Sequence, residues 1–318
     1  EDSLGFEGDD GNEDTDPVTP HLRAMDAVNP NDRCFAEARA AGVTTVVTGP
    51  GSSNPIAGQM CALKTVGARV DDMLLRAPLA IKLALGENPK TVYHGKNQAP
   101  VTRMATVALI REAFLKAQKY LEQKGRADED SDFDPPEFDI KSEALLPALT
   151  GEIPVHIHAH RQDDMFSALR IAAEFNLRPV MVHGTEGHLI AEVLARESVP
   201  VLCGPNLCDR SKPELSGLDP AAPGNLSRAG VKIALITDHP VIPSQYLNLC
   251  AGLAIREGLD SETALRALTA DAAEICGLAS RVGSLEPGKD ADFSVWSGDP
   301  FTLAAKPFAV AIDGVWIG

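Results

Sequence analysis

From residue 153 onward, short runs of apolar, β-branched residues alternate with amphipathic segments, and this alternation constrains the fold more than any other feature of the sequence. It predicts strands over residues 153–159, 179–183, 199–203 and 231–237. It predicts helices over residues 164–175, 189–196, 245–257 and 261–276, the last with a capping pattern at Ser261. Strands that alternate with helices form a parallel sheet with right-handed crossovers. The sequence therefore predicts an α/β protein, either a closed barrel or an open doubly wound sheet, although no GxGxxG motif follows an early strand.

The rest of the chain gives a coarser pattern. Residues 43–48 predict a buried strand, residues 72–85 one or two strands, and residues 102–123 a long helix that Thr102 can cap. Residues 125–141 are acidic and contain two adjacent prolines, which favours a loop. After residue 276, short alternating strands and turn dipeptides predict part of a small β domain that must pack on something else.

Composition excludes several classes of protein. The formal net charge is −16, so the chain lacks the basic surface of a nucleic-acid-binding protein. It has no apolar run of about eighteen residues, which argues against a membrane span. The six cysteines form no CxxC pair, so we interpret them as free thiols of a cytoplasmic protein that acts on a small molecule. The sequence leaves homo-oligomerisation open.

Histidines and an aspartate follow the predicted strands. In the segment VHIHAH, the alternation of a strand directs His156, His158 and His160 to one face. His183 ends the next strand, and Asp238 follows the strand VKIALIT. The carboxyl ends of barrel strands are where chemistry is assembled, and imidazole with carboxylate suits a divalent transition metal. Such a metal would lower the pKa of a water toward about 7, and Asp238 could move its proton.

Several segments together resemble the amidohydrolase superfamily, in its imidazolonepropionase-related branch. Each motif is weak, but their order and spacing along nearly the whole chain are specific. The matching segments are GVTTVVTGPGSSNPIAGQ, PVHIHAHRQDD, PVMVHGTEGH, VPVLCGPNL, KIALITDHPV and GSLEPGKDADFSVWSGDP.

The resemblance implies an α/β fold with a (β/α)8 TIM-like barrel over residues 1–278. Residues 279–318 would form the C-terminal part of a small β-sandwich domain. The family's first strand ends in a His-x-His pair that supplies two metal ligands, and no such pair precedes residue 43 here. The resemblance therefore implies that the first strand of the barrel is missing from this chain, by truncation or by nature.

The resemblance also assigns the metal ligands. It implies that His158 and His183 bind the metal, and that Asp238 is both a ligand and the proton shuttle. Lys82, in LAIKLALGEN, resembles the lysine that becomes carboxylated and bridges two metals in some branches. Glu87 is the alternative carboxylate at that position.

Three other histidines are candidates for secondary roles. His156 is the alternative ligand on its strand. His160 would contact substrate, or it would contact a metal ligand without binding the metal itself. His188 would contact substrate, although we favour the interpretation that His188 and Glu186 cap the following helix.

These assignments predict a metal-dependent amidohydrolase that hydrolyses a non-peptide C–N bond, in an amide or a cyclic amide, with one or two divalent ions. Zinc is the first candidate, and iron or manganese would also suit nitrogen and oxygen donors. One alternative is a non-catalytic or impaired binding protein that lacks the His-x-His ligands. Within the family, an Xaa-Arg-type dipeptidase, anchored by Arg103 or Arg161, or a deaminase is the rival.

Overall fold

A computed structural model describes residues 5–317 of the chain. Its strands are β1 Thr45–Thr48, β2 Ile56–Gln59, β3 Cys61–Lys64, β4 Leu74–Arg76, β5 Ile81–Ala84, β6 Val155–Ala159, β7 Pro179–His183, β8 Val201–Cys203, β9 Ile233–Leu235, β10 Phe293–Trp296, β11 Pro307–Ile312 and β12 Val315–Ile317. Its α-helices are α1 Arg33–Ala40, α2 Val70–Met73, α3 Glu87–Gly95, α4 Arg103–Glu129, α5 Ile140–Leu149, α6 Gln162–Glu174, α7 Ala191–Arg196, α8 Ala222–Arg228, α9 Leu247–Arg256, α10 Ser261–Leu268 and α11 Ala270–Ile275. Short 3-10 helices cover Gly5–Gly8, Ala24–Ala27, Gly187–Ile190, Pro213–Leu215 and Ser244–Tyr246.

The central sheet has six strands in the order β2-β5-β6-β7-β8-β9. β2 runs antiparallel to β5, and every later pair in the sheet is parallel. The prediction of an α/β fold built on a mostly parallel sheet is therefore confirmed. The register places Lys82 beside His156 and Ala84 beside His158, and it pairs Ala159 with His183. Ligand-type side chains thus gather at the carboxyl edge of β6 and β7, with Lys82 below them on β5, at the level of His156.

The strand predicted at residues 43–48 lies outside the central sheet. β1 pairs antiparallel with β3, and β3 with β4, in a separate three-stranded sheet. Its residues are half-buried rather than buried, so the prediction of a buried strand is wrong in that respect. An isolated β-branched run fits either sheet, and here β1 pairs antiparallel with β3 rather than with a strand of the central sheet.

The C-terminal strands β10, β11 and β12 form a third, antiparallel sheet. Lys64, buried on β3, connects the second sheet to it. The Lys64 ammonium contacts the carboxylates of Asp290, at 2.8 Å, and of Asp292, and lies 3.2 Å from that of Asp313. The last segment of the chain therefore packs on the rest through a buried ionic contact as well as through apolar side chains.

Helix α4 covers one side of the main core. The Thr102 hydroxyl accepts a hydrogen bond from the Ala105 amide, as the capping prediction requires. Ile110, Phe114 and Ala117 are buried at helical spacing, and the Phe114 and Phe175 rings lie 5.3 Å apart. The helix continues to Glu129, so the loop predicted over 125–141 begins later than expected and ends where α5 starts. No helix within residues 5–317 is both long and apolar enough to cross a membrane.

The second half of the chain follows the predicted order of elements. The helix predicted over residues 261–276 is divided at Thr269, whose φ of −130° and ψ of −95° are not helical, into α10 and α11. The cap of α10 is Asp260 rather than Ser261, because the Asp260 carboxylate accepts the Thr263 amide proton at 2.9 Å. All six cysteines lie within the described residues, and no disulfide joins any two of them.

Candidate metal centre

Three imidazole rings meet at the carboxyl edge of the central sheet. His158 is on β6, His160 follows that strand directly, and His183 is the last residue of β7. The three ring centroids lie between 4.5 and 4.7 Å apart. One ligand atom from each ring lies within 4.8 Å of the other two, and each residue is at most 4% exposed. The alternation of β6 and its register with β7 bring these rings together, so they form a cluster of metal-ligand type.

Hydrogen bonds orient each ring through its Nδ1 atom. His183 Nδ1 donates to the Gly204 carbonyl at 2.7 Å, which requires the proton on Nδ1 and leaves a lone pair on Nε2. His160 Nδ1 lies 2.7 Å from the Thr185 hydroxyl, and His158 Nδ1 lies 3.0 Å from the Ser52 hydroxyl. Partners of this kind are the ones that orient metal-binding histidines. These contacts occupy Nδ1 in all three rings, so Nε2 is the atom left to face a shared cation, although Asn88 Nδ2 lies 3.5 Å from His158 Nε2.

Burial keeps the three imidazoles neutral. Burial lowers the pKa of His160 to about 2, with the charges of His183 and Lys212 acting in the same direction. Burial also holds the pKa of His158 well below its usual value. The pKa of His183 is lowered by burial, although the Asp238 charge and the Gly204 carbonyl oppose that shift. Neutral imidazole is the form that binds a metal, so the cluster needs to release no proton on binding at neutral pH.

Lys82 lies on β5 beneath the histidine cluster and is 7% exposed. Its ammonium donates to the Ser52 hydroxyl at 2.9 Å, and the same hydroxyl contacts His158. Burial lowers the pKa of Lys82 to about 8, although the charge of Asp238 opposes the shift. Ser52 therefore joins the amine that was predicted to be carboxylated to one of the predicted ligands.

Asp238 follows β9 in an exposed position with a left-handed φ of 51°. Its carboxylate is close enough to raise the pKa values of His183 and Lys82 against the effect of burial. An aspartate tolerates this backbone conformation better than most residues. Asp238 thus lies at the same edge of the sheet as the histidines, within electrostatic reach of two predicted ligands and open to solvent.

Other predicted residues lie farther from the cluster or in different surroundings. His156 is completely buried beside Lys82, and neither ring nitrogen has a hydrogen-bond partner among the described residues. Burial and the Lys82 charge lower the pKa of His156 to about 3. The Glu87 carboxylate accepts the Glu214 amide proton at 3.4 Å.

The prediction that His188 and Glu186 cap a helix is wrong. His188 lies in the 3-10 helix Gly187–Ile190, and neither that helix nor α7 has a side-chain cap within the described residues. The Glu186 carboxylate instead accepts the Gln162 amide proton at 2.9 Å. The short 3-10 turn before α7 moves the start of the α-helix past both side chains.

Further polar residues that the sequence does not single out lie around the cluster. Glu214, in the 3-10 helix Pro213–Leu215, lies 3.7 Å from His160 Nε2 and 3.9 Å from His158 Nε2 through its Oε1 atom. The Lys212 ammonium lies 3.2 Å from the same oxygen and 2.8 Å from Asn88 Oδ1. The loop over residues 204–218 could be expected to line the site, but irregular backbone gives no periodicity that selects a residue within it.

The two arginines considered as substrate anchors are already paired. Arg103 donates two hydrogen bonds to Asp164, at 2.7 and 3.0 Å, and Arg161 donates two to Asp163. Arg161 follows His160 directly and lines a cavity of about 530 Å³ together with Gln162, Asp163, Phe166 and Glu186. Each guanidinium is therefore neutralised by a carboxylate.

Comparisons with known proteins agree with this geometry. A family model described as "Amidohydrolase family" matches residues 152–318, which include the whole histidine cluster. The chain is 30% identical to the amidohydrolase tasK of Hapsidospora irregularis over 96% of its own length, and it spans 33% of that longer protein. An imidazolonepropionase of Sphingopyxis alaskensis is 38% identical over 26% of this chain and 21% of its own.

A solved structure, an amidohydrolase from Thermotoga maritima, matches the entire chain with a TM-score of 0.97 and 44% identity. The match covers 83% of that protein. The similarity therefore extends through all of the elements that surround the three histidines. The chain belongs to the amidohydrolase family, with a relation to imidazolonepropionase.

Proposed function

We propose that this protein is a metal-dependent hydrolase of a non-peptide C–N bond in an amide or cyclic amide. Membership of the family and the histidine cluster indicate a hydrolase that uses a metal. The observation that carries the proposal is the convergence of His158, His160 and His183, each buried, neutral and oriented through Nδ1. Burying the polar nitrogen atoms of three imidazoles is unfavourable unless each has a partner, and a bound metal would supply that partner.

We assign the metal to His158 and His183, with His160 as a third imidazole of the cluster and Asp238 as a carboxylate ligand. Lys82, once carboxylated, would supply the bridge if a second ion is present, and its lowered pKa favours the neutral amine that this reaction needs. The donor set suits zinc first, and iron or manganese also bind such ligands. A metal held there would polarise a carbonyl group and lower the pKa of a water toward about 7.

Asp238 is assigned the proton transfer. The carboxylate would accept a proton from the attacking water and deliver it to the leaving nitrogen. Water adds to the carbonyl carbon, the C–N bond breaks, and the products are a carboxylic acid and an amine. The exposure of Asp238 supports this role, because the shuttle must reach both the water and a substrate that enters from solvent.

We also propose how the parts of the chain are organised. Residues 1–278 would form most of a (β/α)8 barrel, and residues 279–318 part of a small β-sandwich domain. The parallel run from β5 to β9 supports the first assignment, and the β10-β11-β12 sheet supports the second. The chain spans a third of the tasK protein. We propose that the whole protein, like this chain, acts on a small-molecule substrate.

The test is metal analysis and a hydrolysis screen on the complete protein, purified without chelator. We expect at least one divalent ion per chain and activity on N-acyl or cyclic-amide compounds. At saturating metal, which offsets the loss of one carboxylate ligand, Asp238→Asn should lose activity by about 100-fold or more, because it removes the general base. Asp128→Asn, an exposed aspartate on α4, is the matched control and should behave as the parent. A metal-free protein, or an Asp238→Asn variant as active as its parent, would instead favour a binding protein without catalysis.

A further inference from the structure

Glu214 is a buried carboxylate that neither the family resemblance nor the sequence pattern assigned. It lies in the loop after β8, is 1% exposed, and directs Oε1 toward the histidine cluster. We propose that Glu214 donates this oxygen to the same divalent cation as His158 and His160. The inference rests on the proposed function, because it needs a metal at the cluster, but it concerns a ligand from a different loop.

The distances fit a shared cation. Zinc binds imidazole nitrogen and carboxylate oxygen at about 2.1 Å, so two donors on one tetrahedral ion lie about 3.4 Å apart. Glu214 Oε1 lies 3.7 Å from His160 Nε2 and 3.9 Å from His158 Nε2. At these separations neither imidazole is hydrogen-bonded to the carboxylate oxygen, whichever ring nitrogen carries the proton. A cation between them turns this contact into a favourable one.

The backbone holds Glu214 in this position. Its Oε2 accepts the Glu87 amide proton at 2.9 Å, and its own amide donates to the Glu87 carboxylate at 3.4 Å. These reciprocal bonds join the start of α3 to the loop after β8. Gly86 has a φ of 84°, and a Cβ atom there would lie 2.9 Å from Glu214 Oε2. With Oε2 held by the Glu87 amide, Oε1 is the oxygen left to face the imidazoles.

A metal ion would be a second positive partner for the Glu214 carboxylate, beside Lys212. A buried carboxylate needs a positive partner, because desolvation of the charge is costly. Lys212 supplies one at 3.2 Å from Oε1, but its side chain is 35% exposed and is shared with Asn88. Lys212 and a metal would therefore compete for the same oxygen. The effect of removing Lys212 on metal affinity therefore distinguishes a metal-binding Glu214 from a Glu214 that only pairs with Lys212.

The test compares three variants of the complete protein by competition with a chelator for Co²⁺ and Zn²⁺ at fixed pH. Glu214→Gln should weaken metal binding by at least about tenfold, since even residues that only support ligands change affinity by that much. Lys212→Met should tighten binding, because it removes the competing cation. Glu112→Gln, an exposed glutamate on α4, is the matched control: it makes the same chemical change away from the cluster and should leave the affinity as in the parent.

The visible spectrum of the Co²⁺-loaded protein gives a second readout. Loss of a carboxylate ligand should change the band shape in Glu214→Gln, and the band shape should be unchanged in Glu112→Gln. If Glu214 only pairs with Lys212, the Glu214→Gln and Lys212→Met variants will lose stability alike, and the parent affinity and spectrum will persist in Glu214→Gln. That result overturns the inference while leaving the proposed function intact. A parent protein that binds no metal overturns both.

Discussion

Replacing Lys82 by methionine tests the buried amine that the family resemblance assigns to carboxylation. Methionine has a similar length and no charge, so it fills the same apolar space on β5. Burial lowers the pKa of Lys82 to about 8 from the usual 10.5. At pH 7.5 roughly a quarter of the amine is then neutral, against about one part in a thousand for an ordinary lysine. Because only the neutral amine reacts with carbon dioxide, Lys82 should form a carbamate about two hundred times more readily than a surface lysine.

The assay is carbon-13 NMR of the protein equilibrated with labelled bicarbonate, together with metal analysis. The parent protein should show a carbamate resonance, and Lys82→Met should lose it and bind less metal per chain. Below pH 8 the amine protonates, so for protein prepared without metal the signal should fall as the pH decreases. Lys232→Met, a half-exposed lysine that pairs with Glu274, is the matched control and should keep the resonance.

Two results would refute this reasoning. A resonance of equal intensity in Lys82→Met would mean that the carbamate forms elsewhere. A parent protein without the resonance at saturating bicarbonate and metal would mean that the amine stays free, and the bridging role would then be lost. The histidine cluster would keep its assignment in either case, because its donors do not include Lys82.

Two further predictions concern stability. Lys64→Met should reduce the free energy of unfolding by about 3–5 kcal/mol in a denaturant titration, because it leaves buried Asp292 without its cation. Lys232→Met, which removes a surface pair, should change it by about 1 kcal/mol at most, and equal effects would contradict the assigned burial. His156→Leu should stabilise the protein by about 1–3 kcal/mol, since it removes buried nitrogens that lack partners among the described residues. With a folded pKa of about 3, His156 costs increasing stability as pH falls below 6.5, so the advantage of the variant should grow in acid; a gain that shrinks would refute this.

The candidate site was predictable in part because strands are periodic. Alternate residues of a strand face the same side, so VHIHAH placed His158 and His160 together before any tertiary contact was known. His183 was equally predictable from the sequence, since it ends a short apolar run. Glu214 was not, because it lies in a loop where the position of a side chain depends on contacts with α3 that are distant in sequence.

The sequence by itself determined the order of the elements and which residues could bind a metal, because hydrophobic periodicity, capping residues and side-chain chemistry are local properties of the chain. Tertiary structure alone decided which strands share a sheet. It separated β1 from the central sheet, set the register that brings His183 against β6, and directed Glu214 to the same point as the histidines. These outcomes depend on contacts between distant segments, where several pairings satisfy the same local pattern and the packing of the whole chain selects one.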